Sequence, residues 1–362
     1  MLEIIFLIFA ASTSLEPMYT LDLSAGENSL HAADVNRDGH IDVIVANQND
    51  HSVKIYHGDS TGKLSPGKSY AAGHDPSDIV SDDFNQDGYL DLVVANHDMN
   101  YLSVLYGSKS GGLEMSKQQI KLSVEPHPHV LEYFDIDNDG NKDLLVDNRF
   151  NNGVQVLKAN ESGQFHSRGI LINTGGDPYL GFAVIDINQD GLADLISPNT
   201  NNIGIAINQS DKKIRFAKPY FLSDIEPFGL TVLDIDADGN LDIVAVTESS
   251  KQAIAIYHGR SDNTFATEPE WISMAAGPKN IVQGDLNGDA INDVLVTAWN
   301  SDSKIIFGGA KERKTSKPNL GKLDSPWGAL IVDLNADSVG DYIISDGESR
   351  IANVYLSETE SD

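Results

Sequence analysis

Asp34, Asn36, Asp38 and Asp42 occupy the first, third, fifth and ninth positions of the nonapeptide DVNRDGHID, with Gly39 at the sixth. Side-chain oxygens so spaced in a tight turn, with the backbone carbonyl of the seventh residue, His40, converge on one point. A flexible all-oxygen cage suits a hard cation, calcium above all, whereas magnesium demands a small octahedron and keeps waters. The twelfth position, where an EF-hand has a bidentate Glu, is Val45 inside a β-rich run, so the loop is not part of a helix–loop–helix. Taken singly, such a nonapeptide reads equally as an Asn/Asp-Gly hairpin turn.

The chain writes it seven times, with starts at 34, 83, 135, 186, 234, 285 and 333. The ligands expected in the later copies are Asp83, Asn85, Asp87, Tyr89 and Asp91; Asp135, Asp137, Asp139, Asn141 and Asp143; Asp186, Asn188, Asp190, Leu192 and Asp194. The last three copies supply Asp234, Asp236, Asp238, Asn240 and Asp242; Asp285, Asn287, Asp289, Ile291 and Asp293; Asp333, Asn335, Asp337, Val339 and Asp341. Seventh-position residues are included for their carbonyls. An Asp at the ninth position of every copy is more than a plain turn requires, and the expected cofactor is calcium, up to seven ions, one per repeat. Ala290 and Ser338 replace the sixth-position glycine, where a positive φ is expected, so loops six and seven should bind most weakly.

Successive copies lie 48 to 52 residues apart, and a fixed period of that size marks a repeat architecture. Around each copy run short β-branched and aromatic stretches separated by Gly, Asn and Ser, four per repeat, and no helical period persists. A lone four-stranded sheet leaves both faces wet, so the repeats must stack, and radial stacking leaves only short edges. The prediction is an all-β, seven-bladed β-propeller of four-stranded antiparallel blades over residues 17–357, with 358–362 as a tail. The strand MYTLDLS (18–24) precedes the first repeat and the last repeat stops after its third strand, RIANVYLS (350–357), so the N-terminal strand should close the ring.

The loops, the period and the turns Tyr56-His57-Gly58, Tyr106-Gly107, Tyr257-His258-Gly259 and Phe307–Ala310 together resemble the FG-GAP/VCBS-repeat propellers. That class includes the integrin α-chain head and some fungal and bacterial lectins. The resemblance implies a calcium-binding propeller acting in recognition or adhesion.

A net charge of −29 argues against nucleic acid and anionic lipid as partners. With no cysteine, disulfides and thiolate metal sites are excluded. The stretch MLEIIFLIFAASTS (1–14) reads as a short secretory signal peptide, too short to span a bilayer. A secreted, periplasmic or cell-surface monomer without a membrane span is expected.

The calcium loops join the first strand of each blade to the second, so all lie on one face. The opposite face gathers Ser77, His129, Tyr179, Phe228, Lys279 and Trp327, each directly after a proline, and Asn96-His97, Asn148-Arg149, Asn199, Thr247 and Trp299-Asn300 after the second strands. Candidate ligand-binding residues are Trp327 and Trp299 first, with Tyr179, His129, Lys279, Arg149, Phe228 and His97 around them. Sugar C–H faces stack on indole while amides and cations meet hydroxyls. Such aromatics also serve as wedges between blades, and His127-Pro128-His129 also reads as a solvated loop. Three readings follow: a binding module for glycan or protein, a polysaccharide lyase using His129, Arg149, Tyr179 or Lys279 on a uronate, or a purely adhesive scaffold. No Ser-His-Asp order, phosphate loop or HExxH helix is present, and no catalytic residue is assigned.

Overall fold

The computed structural model describes residues 17–357 apart from 118, 123–126, 161–163, 166–168, 179–180, 211, 224, 248–252, 276, 300–302, 310–313, 317, 319 and 321–322. The expected signal peptide (1–14) and the tail lie outside the described residues, as does Tyr179.

Seven antiparallel sheets form seven blades. Blade one runs Asn28–Ala33, Asp42–Asn47, Ser52–His57 and Ser65–Ala71 from the axis outwards. The inner strands of the other blades are Pro76–Asp82, Leu131–Phe134, Ala183–Ile185, Pro227–Leu233, Pro278–Gly284 and Pro326–Val332. Asn28–Ala33 packs between Pro76–Asp82 and Pro326–Val332, which places the first and last blades side by side. Blade two carries an extra short strand, Leu113–Met115, on Tyr101–Gly107. A 3-10 turn, Arg149–Asn151, follows the second strand of blade three.

The second strand of each blade is buried at all six positions, as in Asp42–Asn47 (DVIVAN) and Asp91–Asn96 (DLVVAN). Both faces of a blade meet a neighbour, so these strands read as continuous apolar runs where a one-sided sheet would alternate. The core is correspondingly divided into seven seams. Ile44 and Val53 of blade one pack with Ile79 and Leu92 of blade two, and Val43 and Tyr56 pack on the other side with Ile343 and Val354 of blade seven.

Closure follows the sequence expectation. Tyr19–Asp22 pairs antiparallel with Ile351–Tyr355 and supplies the fourth strand of blade seven. Between blades seven and one, Ser345 Oγ donates to the carbonyl of Asn28 at 2.8 Å.

Candidate functional site

Each nonapeptide folds as a nest held by its own side chains. In loop one, the N–H groups of Asp38 and Gly39 donate to the two oxygens of Asp34 at 3.1 and 2.9 Å. Asp38 N–H also reaches Asn36 Oδ1 at 2.9 Å, and His40 N–H reaches Asp38 Oδ1 at 2.9 Å. Loops two, four and seven repeat this set of bonds. Loop six differs, since Asp285 Oδ1 takes the N–H groups of Asn287 and Gly288. The backbone is left-handed at the sixth position, including Ala290 (φ +66°) and Ser338 (φ +71°), as the sequence predicts. The fourth position is left-handed as well, at Arg37, Gln86, Asn138, Gln189, Ala237 and Ala336, with glycine only at Gly288. Sequence reasoning missed this because mostly non-glycine residues stand there.

The ninth-position Asp is buried in every loop. Asp42 accepts the N–H of Val35 at 3.1 Å through one oxygen and that of Gly58, past the third strand, at 3.0 Å through the other. Gly107, Ala159, Asn208, Gly259, Gly308 and Ser357 donate in the same way in the other blades. This carboxylate therefore latches the loop to the third strand whatever else it does. Burial raises these carboxyls, outweighing the N–H donors, to about 6 at Asp91, Asp194, Asp293 and Asp341 and to about 7 at Asp143.

Calcium fits most of this set on chemical grounds. Carboxylate oxygens of Asp234, Asp236 and Asp238 lie within 4.8 Å of one another, as do those of Asp135, Asp137 and Asp139. Asp137 Oδ1 and Asp236 Oδ1 are buried without a hydrogen-bond partner. Loop three departs from the rest: Lys158, directly after the third strand Gly153–Leu157, places Nζ 2.6 Å from Asp137 Oδ2 and 2.8 Å from Asp139 Oδ2. Burial disfavours the Lys158 charge, but the two carboxylates outweigh it and raise its pKa. At the equivalent position of blade five, His258 Nδ1 stands 3.3 Å from Asp236.

On the opposite face the candidate ligand residues separate into groups. Lys279 Nζ lies 4.9 Å from the ring centres of Phe228 and Trp299 and 5.8 Å from that of Trp327, so blades five, six and seven share one aromatic cluster around a cation. These four side chains are partly exposed. Phe228, Lys279 and Trp327 line an axial cavity of about 270 Å³ together with His129, Ser77 and Asn280. Asn280 Nδ2 donates to the carbonyl of Trp327 at 2.7 Å and so ties blade six to blade seven. His97 and His129 meet between blades two and three, with Nε2 atoms 3.2 Å apart, and His129 is the one that reaches the cavity. Arg149 places Nε 3.9 Å from Asp177 Oδ2. Asn96, Asn148, Asn199 and Thr247, expected on the binding face, are buried; Asn96 and Asn199 tie their strands to the carbonyls of Ala72 and Thr174. A larger depression of about 480 Å³, lined by Ile170, Leu171, Phe216 and Phe221, lies on the outer edge between blades three and four, away from this mouth.

Four overlapping matches to the FG-GAP-like repeat, at 83–146, 135–197, 186–245 and 234–296, cover more than half of the chain. The chain belongs to the FG-GAP-like repeat family. Blades whose loops fall outside the matched span, such as blade one, keep the same latch and nest, so the FG-GAP-like geometry extends around the ring. No curated protein matches the sequence. Among solved structures, the FG-GAP-like chain is similar to BBS1N in complex with ARL6DN, with a TM-score of 0.68 at 12% identity over 96% of this chain and 98% of that one. It is similar to an Agrocybe aegerita lectin that recognises non-reducing terminal N-acetylglucosamine, with a TM-score of 0.56 at 14% identity over 81% and 80%. It is also similar to YCF48 bound to D1 peptide, with a TM-score of 0.57 at 11% identity over 96% and 97%. At these identities the likeness is one of fold. Among the described residues no helix is long and apolar enough to cross a membrane.

Proposed function

We propose that this FG-GAP-like propeller is an exported, calcium-stabilised binding module whose ligand, a glycan or a protein group, docks at the axial mouth opposite the nonapeptide loops. The observation that carries this reading is the convergence of Phe228, Trp299 and Trp327, from three blades, on Lys279 beside the axial cavity. Indole faces suit the C–H faces of a sugar or an aliphatic stem, while Lys279 and Asn280 suit oxygen acceptors. Seven near-identical loops, by contrast, offer no means of discrimination. The loops instead hold calcium through their first, third and fifth side chains, their seventh carbonyl and their ninth Asp, and the ion offsets carboxylates that repel one another in a tight turn. Neighbours of the same fold are described in complex with ARL6DN, bound to D1 peptide, and as recognising terminal N-acetylglucosamine, which supports a recognition role for this propeller.

The test is retention of the full chain on arrayed glycans and displayed peptides in millimolar calcium, alongside melting curves. The expected result is calcium-dependent retention without turnover, abolished by Trp327→Ala while the melting transition persists; such anchors typically cost about 2 kcal/mol or more on truncation. Retention indifferent to both Trp327→Ala and Trp299→Ala would refute the site, and an unsaturated uronate product would favour the lyase. Excess chelator should lower the melting temperature, since each independent calcium site adds about 2.7 kcal/mol at a hundredfold excess over its Kd. Identical curves with and without chelator would remove calcium from the fold.

A further inference from the structure

His97, His127 and His129 meet on the axial face between blades two and three, with one ligating atom of each ring within 4.8 Å of the others. His97 follows the strand Asp91–Asn96 of blade two, and the other two directly precede the inner strand Leu131–Phe134 of blade three. Nε2 of His97 lies 3.2 Å from Nε2 of His129. Two nitrogens bound to one tetrahedral ion at about 2.05 Å would stand ~3.3 Å apart, so the observed spacing is that of one tetrahedral edge.

Each ring turns its other nitrogen toward a carboxylate. His129 Nδ1 lies 3.3 Å from Asp147 Oδ2, His127 Nδ1 lies 2.8 Å from Asp98 Oδ1, and His97 Nδ1 lies 3.6 Å from Asp98 Oδ2. Nε2 of His97 and Nε2 of His129 thereby remain turned toward one another. A carboxylate behind the imidazole is the usual partner of a metal-bound histidine, fixing its tautomer and raising its basicity. The support is rigid: Asp147 is buried, and its Oδ1 accepts the N–H groups of His129 and Val130 at 2.7 and 2.8 Å. The N–H of His97 donates to the carbonyl of Asp75 at 2.7 Å. His127 has a φ of +134°, a conformation unfavourable for a residue with a Cβ, and its ring is packed 4.1 Å from that of His97 and 4.5 Å from that of His129.

We infer that these three histidines form a transition-metal site for Zn²⁺ or an ion of its class, separate from the oxygen cages of the opposite face. Imidazole nitrogen favours zinc, nickel and copper, whereas calcium takes oxygen. Three protein ligands leave a fourth position for water or for a ligand atom. His129 also lines the axial cavity, so the ion stands at the edge of the mouth that Lys279 and Trp327 border. The adjacent group of His51, His74 and Asp75 has two exposed imidazoles and serves as a comparison.

The test is calorimetric titration of the full chain with Zn²⁺ in millimolar calcium, repeated with Co²⁺ to record the visible bands of a four-coordinate ion. The expected result is one Zn²⁺ per chain at this site and a tetrahedral Co²⁺ spectrum, both lost in His97→Ala and in His127→Ala, with the melting transition retained. Asp147→Asn should weaken binding about 10- to 100-fold. Absence of Zn²⁺ binding by the native chain, binding unchanged in both histidine variants, or loss of the site in His51→Ala/His74→Ala would each overturn the assignment.

Discussion

The ammonium of Lys158 lies 2.6 Å from Asp137 and 2.8 Å from Asp139 in loop three, between two of the carboxylates expected to hold an ion. Blade three thus carries its own cation in place of, or in competition with, a metal. Ion pairing of this kind also stabilises the turn without any ligand, so, on the proposal that the loops hold calcium, loop three should depend on it least.

Replacement of Lys158 by Met should convert loop three into a tighter calcium site. The ion would no longer have to displace two charge-assisted hydrogen bonds, each contributing about 1.5–3 kcal/mol, so affinity at that loop should rise tenfold or more. Calcium titration of Lys158→Met against the native chain reads this directly. An unchanged titration would mean that the lysine yields to the ion at no cost.

Ala290→Gly should tighten calcium binding in loop six and raise stability. Ala290 holds φ +66°, which costs a residue with a Cβ about 1 kcal/mol relative to glycine. At Gly39, Gly140, Gly191 and Gly239 an added Cβ would meet no atom within 4 Å, so the penalty at the sixth position is one of backbone conformation, with no crowding. The reverse change, Gly239→Ala, should weaken loop five by a similar amount. Melting temperatures at fixed calcium decide both.

Deletion of residues through Ser24 should cause aggregation, because it removes Tyr19–Asp22, taking Leu21 out of its apolar seam, and bares the edge of Ile351–Tyr355. Size-exclusion chromatography of the truncated chain is the measurement. A stable monomer would show that blade seven holds with three strands.

Asp78 makes stability depend on pH. Burial raises its carboxyl to about 7, against the lowering effect of the Leu131 N–H that donates to Oδ2 at 2.8 Å. In the unfolded chain an Asp titrates near ~3.9, so above that value the folded state holds the extra proton. Its contribution is therefore complete below pH ~4 and is lost as pH rises toward ~7. Asp78→Asn should close this window: the melting temperature of the variant relative to the native chain should climb between pH 5 and pH 8 at fixed calcium. A constant difference would exclude Asp78 as the source.

The sequence by itself determined the number of blades, their period and the closing strand, because a nonapeptide that must sit between two strands of each blade labels every repeat. It also located the left-handed sixth position, where glycine is the rule and its loss at Ala290 and Ser338 is conspicuous. Only the tertiary structure decided what the ninth Asp is attached to, since the N–H it holds, Gly58 for Asp42, lies 16 residues further on. The same is true of Lys158, which is an unremarkable basic residue after an apolar run until the third strand returns it to its own loop. Of the residues grouped as one binding rim, the ring of blades gathered Phe228, Trp299 and Trp327 around Lys279, set His97 against His129 at another edge of the same mouth, and buried Asn96 and Asn199 as strand ties. The physical reason is range: hydrophobic period and turn chemistry act within a blade and are written locally, whereas which side chains face one another across a seam is fixed only when neighbouring blades pack.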